Sequence, residues 1–389
     1  LDTGNEWGGG TNSLIELLKR LDREKYNISV LFYRNFKKGR DSDIKTAIEG
    51  LGFEFMVLES PRPFIKNLVK EAVRPFLWRK GPREAFFARI DYRFRVNVNA
   101  RRITGIIRER GIDLLYMNNQ PKSNLEGIIA ARDAGIKCLQ HVRIRAGLSQ
   151  FEVDAVNGQV TRLICVSEGV KDDLLMQGVD SRKMTVVYNG IDPASNPRRG
   201  RAEVRSELGV GEDEVLVGSA GTLTGRKLFG DLITAVSKIK DLPLKGVVVG
   251  DGPDKNALKA GIARAGLDSR FLFPGFKDDP LSYINAMDIF VLPSKREGLP
   301  RVILEAMLLG KPVVACRIPG PTEQVVHGVN GYLYEVGDTG ALAEYISGLA
   351  SSTALRERMG AAGRRTALEK FSMDAYVRGV SRILDETLE

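Results

Sequence analysis

Cysteine, histidine and long apolar stretches are scarce in this sequence of 389 residues. Three scattered cysteines argue against a disulfide framework and favour a reducing compartment, and two histidines argue against a metal centre built on a histidine cluster. The longest segments without a charged side chain, such as Val215–Gly225, have 11 residues. A membrane-spanning helix needs about 20 apolar residues, so the sequence predicts no such helix. No secretory signal is recognisable either, and we expect a cytoplasmic protein.

Positive charge is in excess, and the excess is concentrated in one segment. The chain carries 58 basic and 49 acidic side chains, which gives a net charge of +9. Residues 61–110 hold 14 basic and 4 acidic side chains, whereas the segments before and after them carry net charges of −1 and 0. We call residues 61–110 the basic segment. A focused patch of one sign indicates an anionic partner.

Alternating strand and helix patterns point to an α/β protein with more than one domain. The chain is 43% hydrophobic and 28% charged, as is typical of globular proteins, and it is long enough for two or three domains. Val- and Ile-rich segments that alternate with helical periodicity are typical of parallel sheets covered on both faces. The first set of predicted strands is Ile28–Tyr33, Phe53–Leu58, Ile112–Met117, Lys137–Gln140, Arg162–Val166 and Thr185–Tyr188. The second set is Val215–Ser219, Gly246–Val249, Phe271–Phe273, Ile289–Leu292 and Pro312–Ala315.

The two sets of strands predict two doubly wound domains joined by a linker. The segment Asn189–Gly211 contains two prolines and four arginines but no clear strand, so we interpret it as the linker. This interpretation assigns residues 1–192 to the first domain, with the basic segment inside it, and residues 193–372 to the second. Residues 373–389 have the apolar spacing of an amphipathic helix.

Two glycine-containing loops follow predicted strands, at the edge where parallel sheets bind ligands. Gly8–Gly10 follows a short strand predicted at Leu1 and precedes a helix predicted from Thr11, and free amides at a helix start attract phosphate. Gly221–Lys227, which we call the phosphate loop, follows the first strand of the second domain and ends in two cations that suit a phosphate clamp. A structural turn and a solvated loop are the alternative interpretations. Neither loop has the spacing of a dinucleotide fingerprint, which disfavours a nicotinamide oxidoreductase.

The segment Pro293–Met307 is the most informative part of the chain. A predicted strand ends before it, a loop follows, and a helix begins near Pro300, because proline suits the first helical turn. The first amides of this helix would then face an anion. Glu297 and Glu305 flank the helix start, and carboxylates repel phosphate but accept hydrogen bonds from sugar hydroxyls. The pattern predicts a phosphate flanked by hydroxylated rings, as in a nucleotide sugar, and its phosphate-type features argue against a glycoside hydrolase.

The ordered motifs of the chain resemble those of the retaining GT-B glycosyltransferases of the large bacterial family 4. The glutamate pair in EGLPRVILEAM is similar to the family's E-x7-E motif. Gly8–Gly10 resembles its first glycine loop, and AGTLTGRK resembles its phosphate loop. Further similarities are found in ICVSEGVKDDL, VVYNGID, VVVGDGP, FPGFKDD, DIFVLPS, GKPVVACRIPG, Glu323 and GVNGYL. The resemblance covers nearly the whole chain.

The resemblance implies both a fold and a function. The implied fold is GT-B: two Rossmann-like domains that face each other across a cleft, with the last helix returning to the first domain. The implied function is the transfer of a sugar from a nucleotide-diphosphate sugar, with retention of configuration, to a lipid-linked or polysaccharide acceptor. Such a reaction would belong to lipopolysaccharide or surface-polysaccharide biosynthesis. No residue is assigned as an enzyme nucleophile.

The resemblance also implies roles for individual residues. Lys227 would neutralise the diphosphate, helped by Arg226 and by the amides after Gly298. Glu305 would bind the ribose, and Glu297 would contact a hydroxyl of the transferred sugar. His141 follows the predicted strand Lys137–Gln140 and matches the position of a family histidine near the donor sugar. The catalytic candidates are therefore His141, Lys227 and Glu297, and the remaining donor contacts are Gly9, Gly10, Thr222, Leu299, Arg301 and Val302.

Two departures from the family pattern affect the phosphate contacts. Thr222 stands where many members have arginine, which shifts the clamp towards Arg226. Pro300 stands where others have a glycine and removes one amide donor. Because cations and helix-start amides stabilise a leaving diphosphate, we expect neither a metal nor another cofactor. Asp41-Ser42-Asp43 resembles the metal-binding D-x-D of another glycosyltransferase class, but we interpret it as a helix cap.

Three interpretations of the basic segment stay open at this point. In the first, its apolar face packs on the first domain and its cations are merely solvated. In the second, it lies on an anionic membrane surface, at the cytoplasmic face of the inner membrane, and presents a lipid-linked acceptor. In the third, the protein binds nucleic acid on a GT-B-like scaffold without transferase activity, which leaves the glutamate pair and the glycine loops unexplained.

Overall fold

The computed structural model describes residues 1–4, 7–38, 42–58 and 92–389, and these form two compact units. Unit 1 consists of Leu1–Cys165, Lys171–Thr185 and Val380–Glu389. Unit 2 consists of Val166–Val170 and Val186–Gly379. The division predicted after residue 192 therefore lies inside unit 2, whose longer segment begins at Val186.

Unit 1 contains three groups of paired strands in its described part. Its strands are β1 (Ser29–Phe32), β2 (Lys37–Lys38), β3 (Ser42–Asp43), β4 (Glu54–Val57), β5 (Leu114–Asn118), β6 (Lys137–Val142), β7 (Arg162–Cys165) and β8 (Met184–Val186). β1 pairs with β4, β5 to β8 lie side by side in that order, and β2 and β3 form a separate antiparallel pair. Leu1 and Asp2 join the two parallel groups, because the Asn118 amide donates to Leu1 and the Asp2 amide donates to Leu31.

The helices in the described ranges of unit 1 pack around these strands. They are α1 (Gly9–Leu18), α2 (Ile44–Glu49), α3 (Asn97–Arg110), α4 (Leu125–Ala134), α5 (Gln150–Gln159) and α6 (Glu168–Met176), whose first residues belong to unit 2. Apolar residues of α1 and α2, such as Leu14 and Ile48, pack with Val30 and Phe55 of β1 and β4 in one core. Helical spacing of apolar residues therefore determines which helix faces contact the sheet.

Asp43 caps helix α2. Its carboxylate accepts a hydrogen bond from the Thr46 amide at 2.7 Å, and that bond lowers the pKa of Asp43 below its ordinary value. The predicted capping role is thus confirmed for this residue, since Asp is among the best residues at a helix N-cap. Asp41, the other carboxylate of the motif, lies outside the described residues.

Unit 2 contains a six-stranded parallel sheet. Its strands are β9 (Val215–Ala220), β10 (Leu244–Val249), β11 (Phe271–Gly275), β12 (Ile289–Leu292), β13 (Val313–Cys316) and β14 (Gly331–Tyr334), in the spatial order β11-β10-β9-β12-β13-β14. β14 had no counterpart among the predicted strands. The chain adds strands on one side of β9 and then returns to its other side at β12, so the topology reverses between these two neighbours. Ligands of open α/β sheets bind outside the carboxyl ends of the strands at such a point.

Nine helices surround the sheet or extend from it in the described part of unit 2. They are α7 (Arg201–Glu207), α8 (Phe229–Lys238), α9 (Lys255–Ala265), α10 (Pro280–Ala286), α11 (Arg301–Leu308), α12 (Pro321–Gln324), α13 (Thr339–Ala350), α14 (Thr353–Lys370) and α15 (Met373–Leu388). The predicted C-terminal helix corresponds to α15, which belongs to unit 2 up to Gly379 and to unit 1 from Val380. No helix in the described ranges combines the length and the apolar character needed to cross a bilayer.

The segment predicted as a linker, Asn189–Gly211, is instead part of unit 2. It contains α7, and two of its arginines hold it to the body of the unit. Arg201 donates to the carbonyl oxygens of Asn285, Ala286 and Met287 at the end of α10, and Arg205 donates to the Asp288 carboxylate at 3.0 Å. The proline and arginine content of the segment is typical of a linker. The partners that hold its arginines lie about 80 residues away, so local sequence could not identify them.

Candidate functional site

The two loops with the strongest chemical signals follow neighbouring strands at the topological switch of unit 2. The phosphate loop follows β9, and residues 293–300, which we call the glutamate loop, follow β12. Because β9 and β12 pair directly, the carboxyl ends of both strands lie side by side. The sheet therefore brings Arg226 and Lys227 of one loop to Glu297 of the other.

Lys227, Arg226 and Glu297 form a buried ion cluster. Lys227 Nζ lies 2.7 Å from Glu297 Oε1, and Arg226 Nη1 lies 3.1 Å from Glu297 Oε2. The Lys227 and Glu297 side chains are only 10% and 8% exposed. Two cations and one carboxylate leave a net positive charge at the carboxyl ends of β9 and β12. This charge is suited to a ligand that carries more than one negative charge.

The ionisation of Glu297 is determined by this cluster. Burial by itself would raise the pKa of the carboxyl. The charges of Lys227 and Arg226, with the hydrogen bond from Lys227, outweigh burial and hold the pKa of Glu297 below its ordinary value. The side chain is therefore a carboxylate at neutral pH, able to accept hydrogen bonds but not to act as a general acid.

Further hydrogen bonds fix the two loops against each other. The Lys295 amide donates to the Arg226 carbonyl at 3.0 Å, and Arg226 Nη1 donates to the Arg296 carbonyl at 2.9 Å. A third loop closes from the β10 side, where a Cβ on Gly250 would stand 2.0 Å from the Gly221 carbonyl oxygen. Only glycine permits this approach, so the phosphate loop is held in place before any ligand binds.

Helix α11 begins at the edge of the same cluster. Pro300 immediately precedes the helix, and the first amides belong to Arg301 and Val302, which as first-turn donors have no intrahelical acceptor. The Arg301 guanidinium lies 3.9 Å from the Glu305 carboxylate, and both side chains are mostly buried. Gly298 and Leu299 are buried in the loop that leads into the helix. Thr222, in contrast, is exposed.

The other three candidate residues lie in unit 1. Gly9 and Gly10 are the first residues of α1, and Gly10 lies close to the side chain of Arg143. His141 ends up fully buried on β6, where its Nδ1 is hydrogen-bonded to the Tyr116 hydroxyl. Burial, and after it the charge of Arg143, lower the pKa of His141 well below its ordinary value, so the imidazole is neutral. The catalytic role of His141 stays a prediction.

Two side chains at the site were not predicted from the sequence. Ser294 is fully buried in the glutamate loop, and buried Asn189 donates from Nδ2 to the Leu299 carbonyl oxygen at 2.9 Å. Asn189 belongs to the VVYNGID motif but precedes the glutamate loop by 110 residues. Its presence in a recognisable motif was a signal, but the motif does not say which loop it contacts.

Across residues 1–4, 7–38, 42–58 and 92–389, no three or more His, Cys, Asp or Glu side chains are grouped so as to hold a metal ion. Glu323 is one of the residues that resemble the family pattern. Its carboxylate accepts hydrogen bonds from the Glu168 and Gly169 amides at 2.8 and 3.0 Å. It thereby caps the start of α6.

Two family descriptions match the chain in succession. Residues 7–195 match "Glycosyltransferase Family 4", and residues 200–366 match "Glycosyl transferases group 1". Together they cover nearly the whole chain in the order that the motifs predict. The chain belongs to this family of glycosyltransferases.

Individual relatives and solved structures agree with this assignment. The chain is 33% identical to the lipopolysaccharide core biosynthesis glycosyltransferase LpsD of Rhizobium meliloti over 57% of this chain and 65% of that protein. It is 28% identical to an Escherichia coli UDP-Gal:alpha-D-GlcNAc-diphosphoundecaprenol alpha-1,3-galactosyltransferase over 60% of this chain and 65% of that protein. The matches span about half to two thirds of the length of the first curated relatives. Among solved structures, Anabaena HepE in complex with UDP and glucose has a TM-score of 0.80 at 23% identity, over 99% of this chain and 98% of that chain.

The structural likeness confirms the fold prediction. Glycosyltransferases of the GT-B class are the neighbours, and both units have the Rossmann-like arrangement of parallel strands and helices. The strand order of unit 2 is the doubly wound order that binds nucleotides in other proteins.

Proposed function

We propose that this chain is a retaining glycosyltransferase that uses a nucleotide-diphosphate sugar. The acceptor is a lipid-linked or polysaccharide molecule, and the product belongs to lipopolysaccharide or surface-polysaccharide biosynthesis. Relatives named for lipopolysaccharide core, O-antigen and capsular polysaccharide synthesis support this class of acceptor. Nothing among the relatives favours the nucleic-acid-binding alternative.

The ion cluster of Lys227, Arg226 and Glu297 is the observation that carries the proposal. It lies at the switch point between β9 and β12, where a doubly wound sheet binds its ligand. The donor diphosphate meets both cations and the first amides of α11, and Glu297 accepts a hydrogen bond from the transferred sugar. Glu305, farther along α11, accepts hydrogen bonds from the ribose. His141, Gly9 and Gly10 stay predicted donor contacts from unit 1.

The proposed chemistry follows from where charge develops. Breaking the bond between the sugar and the diphosphate leaves negative charge on the leaving oxygen, and fixed cations near it lower the barrier. Lys227 and Arg226 are held in place before the donor binds, so little reorganisation is needed. We therefore propose that the leaving group is stabilised by these side chains without a metal ion. Retention of configuration is proposed by family resemblance, with attack from the face that the leaving group occupies.

Binding of a uridine nucleotide without metal is the first testable consequence. HepE binds UDP and glucose, which favours UDP among the donor nucleotides. A ligand at 100 times its Kd stabilises the native state by about 2.7 kcal/mol, which raises the Tm by roughly 5 to 10 °C for a domain of this size. We expect that shift with UDP or a UDP-sugar in EDTA, and a smaller one with GDP or ADP, as measured by thermal unfolding.

Uridine is the matched control for that experiment. It carries the same base and ribose but no phosphate, so a site organised around the cation cluster should respond weakly to it. Equal shifts from uridine and UDP would contradict a phosphate clamp, and a shift that appears only with magnesium would contradict metal-independent binding. No shift with any nucleotide in a folded sample would count against the proposed function.

We further propose that the protein binds the anionic surface of the inner membrane through unit 1. Residues 61–91 of the basic segment lie outside the described residues, so the argument depends on its last part and on a neighbour. Phe94 and Phe151 are 37% and 52% exposed, and Phe151 contacts the Tyr92 ring edge to face at 5.5 Å. Arg93 is exposed beside Phe94. Exposed aromatic rings next to cations are typical of surfaces that bind anionic lipid.

Vesicle flotation tests this surface directly. We expect recovery with vesicles that contain anionic lipid, little recovery with neutral vesicles, and a loss at high salt, because each bound cation contributes about 1 kcal/mol. The double variant Phe94→Ser/Phe151→Ser should lose most of the binding. Val326→Ser/Val329→Ser is the matched control, because both valines are 54% exposed and lie in unit 2. Equal recovery of both double variants would contradict the assignment of this surface.

A further inference from the structure

The segment that enters unit 2 after β8 contacts the glutamate loop through two hydrogen bonds. Asn189 is 5% exposed and donates from Nδ2 to the Leu299 carbonyl oxygen at 2.9 Å. In return, Arg301 Nη1 donates to the Gly190 carbonyl oxygen at 3.3 Å. Residues 189–190 and residues 299–301 therefore hold each other from both sides of Pro300.

The other side of this segment is fixed as well. The Ile191 amide donates to the Phe371 carbonyl at 2.8 Å, and the Met373 amide donates to the Ile191 carbonyl at 3.1 Å. At Gly190 the packing is so close that a Cβ would stand 2.6 Å from Met373 Cα. A side chain anchored to such a segment holds its partner in a defined position, because its own backbone has little freedom to move.

The Leu299 carbonyl is a sensitive point in the glutamate loop. It belongs to the peptide bond with Pro300, whose nitrogen carries no hydrogen, so this peptide group has only its carbonyl with which to be held. Rotation of this group would turn the preceding Gly298 peptide and the start of α11 together. Those are the backbone groups that the proposed function directs at the donor phosphates.

We propose that Asn189 is a positioning residue for the donor site and that Arg301 acts with it. Asn189 fixes the Leu299 carbonyl, and Arg301 completes the brace through the Gly190 carbonyl instead of serving mainly as a phosphate ligand. This inference rests on the proposed function, since it concerns the same site. It changes the role that the sequence predicted for Arg301 and gives a role to the asparagine of the VVYNGID motif.

The substitution Asn189→Asp tests the brace. Aspartate has nearly the same shape, but it replaces the donating amide with a carboxylate that faces the Leu299 carbonyl oxygen, and two acceptors repel each other. We expect the Kd for UDP, measured by calorimetry, and the KM for the donor sugar to rise at least tenfold, with the KM for the acceptor unchanged. Asn196→Asp is the matched control, because exposed Asn196 also donates to a carbonyl oxygen, that of Ala194 at 3.0 Å, and its variant should stay within twofold of wild type.

A double-mutant cycle with Asn189→Ala and Arg301→Ala separates a shared brace from two independent roles. If both residues act through one brace, the Kd of the double variant for UDP is about equal to the higher Kd of the two single variants. Multiplicative losses would contradict the shared role. A residue that is merely structural would lower the Tm and the folded fraction without changing the Kd of the folded protein, and that result would overturn the proposal.

Lys227→Ala in the same assay keeps this inference distinct from the proposed function. If wild type does not bind UDP or any other nucleotide, the proposed function fails. If wild type binds UDP, Lys227→Ala does not, and folded Asn189→Asp binds as wild type does, then only the brace is refuted. Should Asn189→Asp fail to fold, the cycle with the two alanine variants supplies the same comparison.

Discussion

Replacing Lys227 with alanine is expected to lower turnover by roughly 10²- to 10³-fold while the protein stays folded. Removal of one preorganised group that stabilises a developing negative charge costs about this much in other enzymes. Lys227 is buried and within 2.7 Å of Glu297, so its position is fixed before the reaction begins. Arg226 lies 3.1 Å from the same carboxylate and remains in the variant, which limits the loss of both stability and activity.

Two comparisons make the Lys227 result specific. Lys240→Ala removes an exposed lysine from the turn that follows α8 and should leave turnover unchanged. Lys227→Met/Glu297→Gln removes both charges of the closest ion pair, so it should recover stability lost in Lys227→Ala but not activity. Turnover is measured with a UDP-sugar at saturating donor. A wild-type rate in folded Lys227→Ala would refute the assignment of the phosphate site.

Local rules predicted much of the fold. Val- and Ile-rich runs identified β9 and β12 to within a residue or so, because a strand buried on both faces must be apolar along its length. Asp43 was recognised as a cap for a similar local reason: its partner, the Thr46 amide, is three residues away. β14 was missed because its four residues begin with a glycine and include two tyrosines, with no long apolar run to mark them.

Long-range contacts were the part that sequence reasoning did not reach. The placement of Lys227 and Glu297 in loops after two strands was correct, but their direct ion pair follows from the pairing of β9 with β12. Arg201 was read as part of a linker although it binds the end of α10, more than 80 residues away. Asn189 was likewise left without a role because its partner is 110 residues distant. Motif spacing shows which residues carry chemistry, whereas the sheet determines which of them meet.

Gly320→Ala should be strongly destabilising and should also impair the donor site. Gly320 has a φ of 93°, in the left-handed region that favours glycine, and a Cβ there would stand 2.1 Å from the Gly298 carbonyl oxygen. The left-handed backbone conformation costs about 1 to 3 kcal/mol of folding free energy when the residue is not glycine. The clash between the new Cβ and Gly298 cannot be relieved by a side-chain rotation, because the Gly298 carbonyl oxygen is a backbone atom. We expect the Tm to fall by roughly 5 to 10 °C, given about 2 to 4 °C per kcal/mol for a domain of this size.

The position of the clash makes this a test of the site as well as of the fold. Gly298 lies next to Glu297, so a shift of Gly298 that relieves the clash also displaces the glutamate loop from its position against the phosphate loop. UDP affinity measured well below the Tm should therefore fall even for the fraction that remains folded. Gly348→Ala is the control, because Gly348 lies in helix α13 with no atom within 4 Å of its added Cβ, and alanine there should stabilise the helix by about 0.5 to 1 kcal/mol. If Gly320→Ala matched wild type in both Tm and UDP affinity, the close approach of Gly320 to Gly298 would be incorrect. The preorganised position of Glu297 would then be incorrect as well.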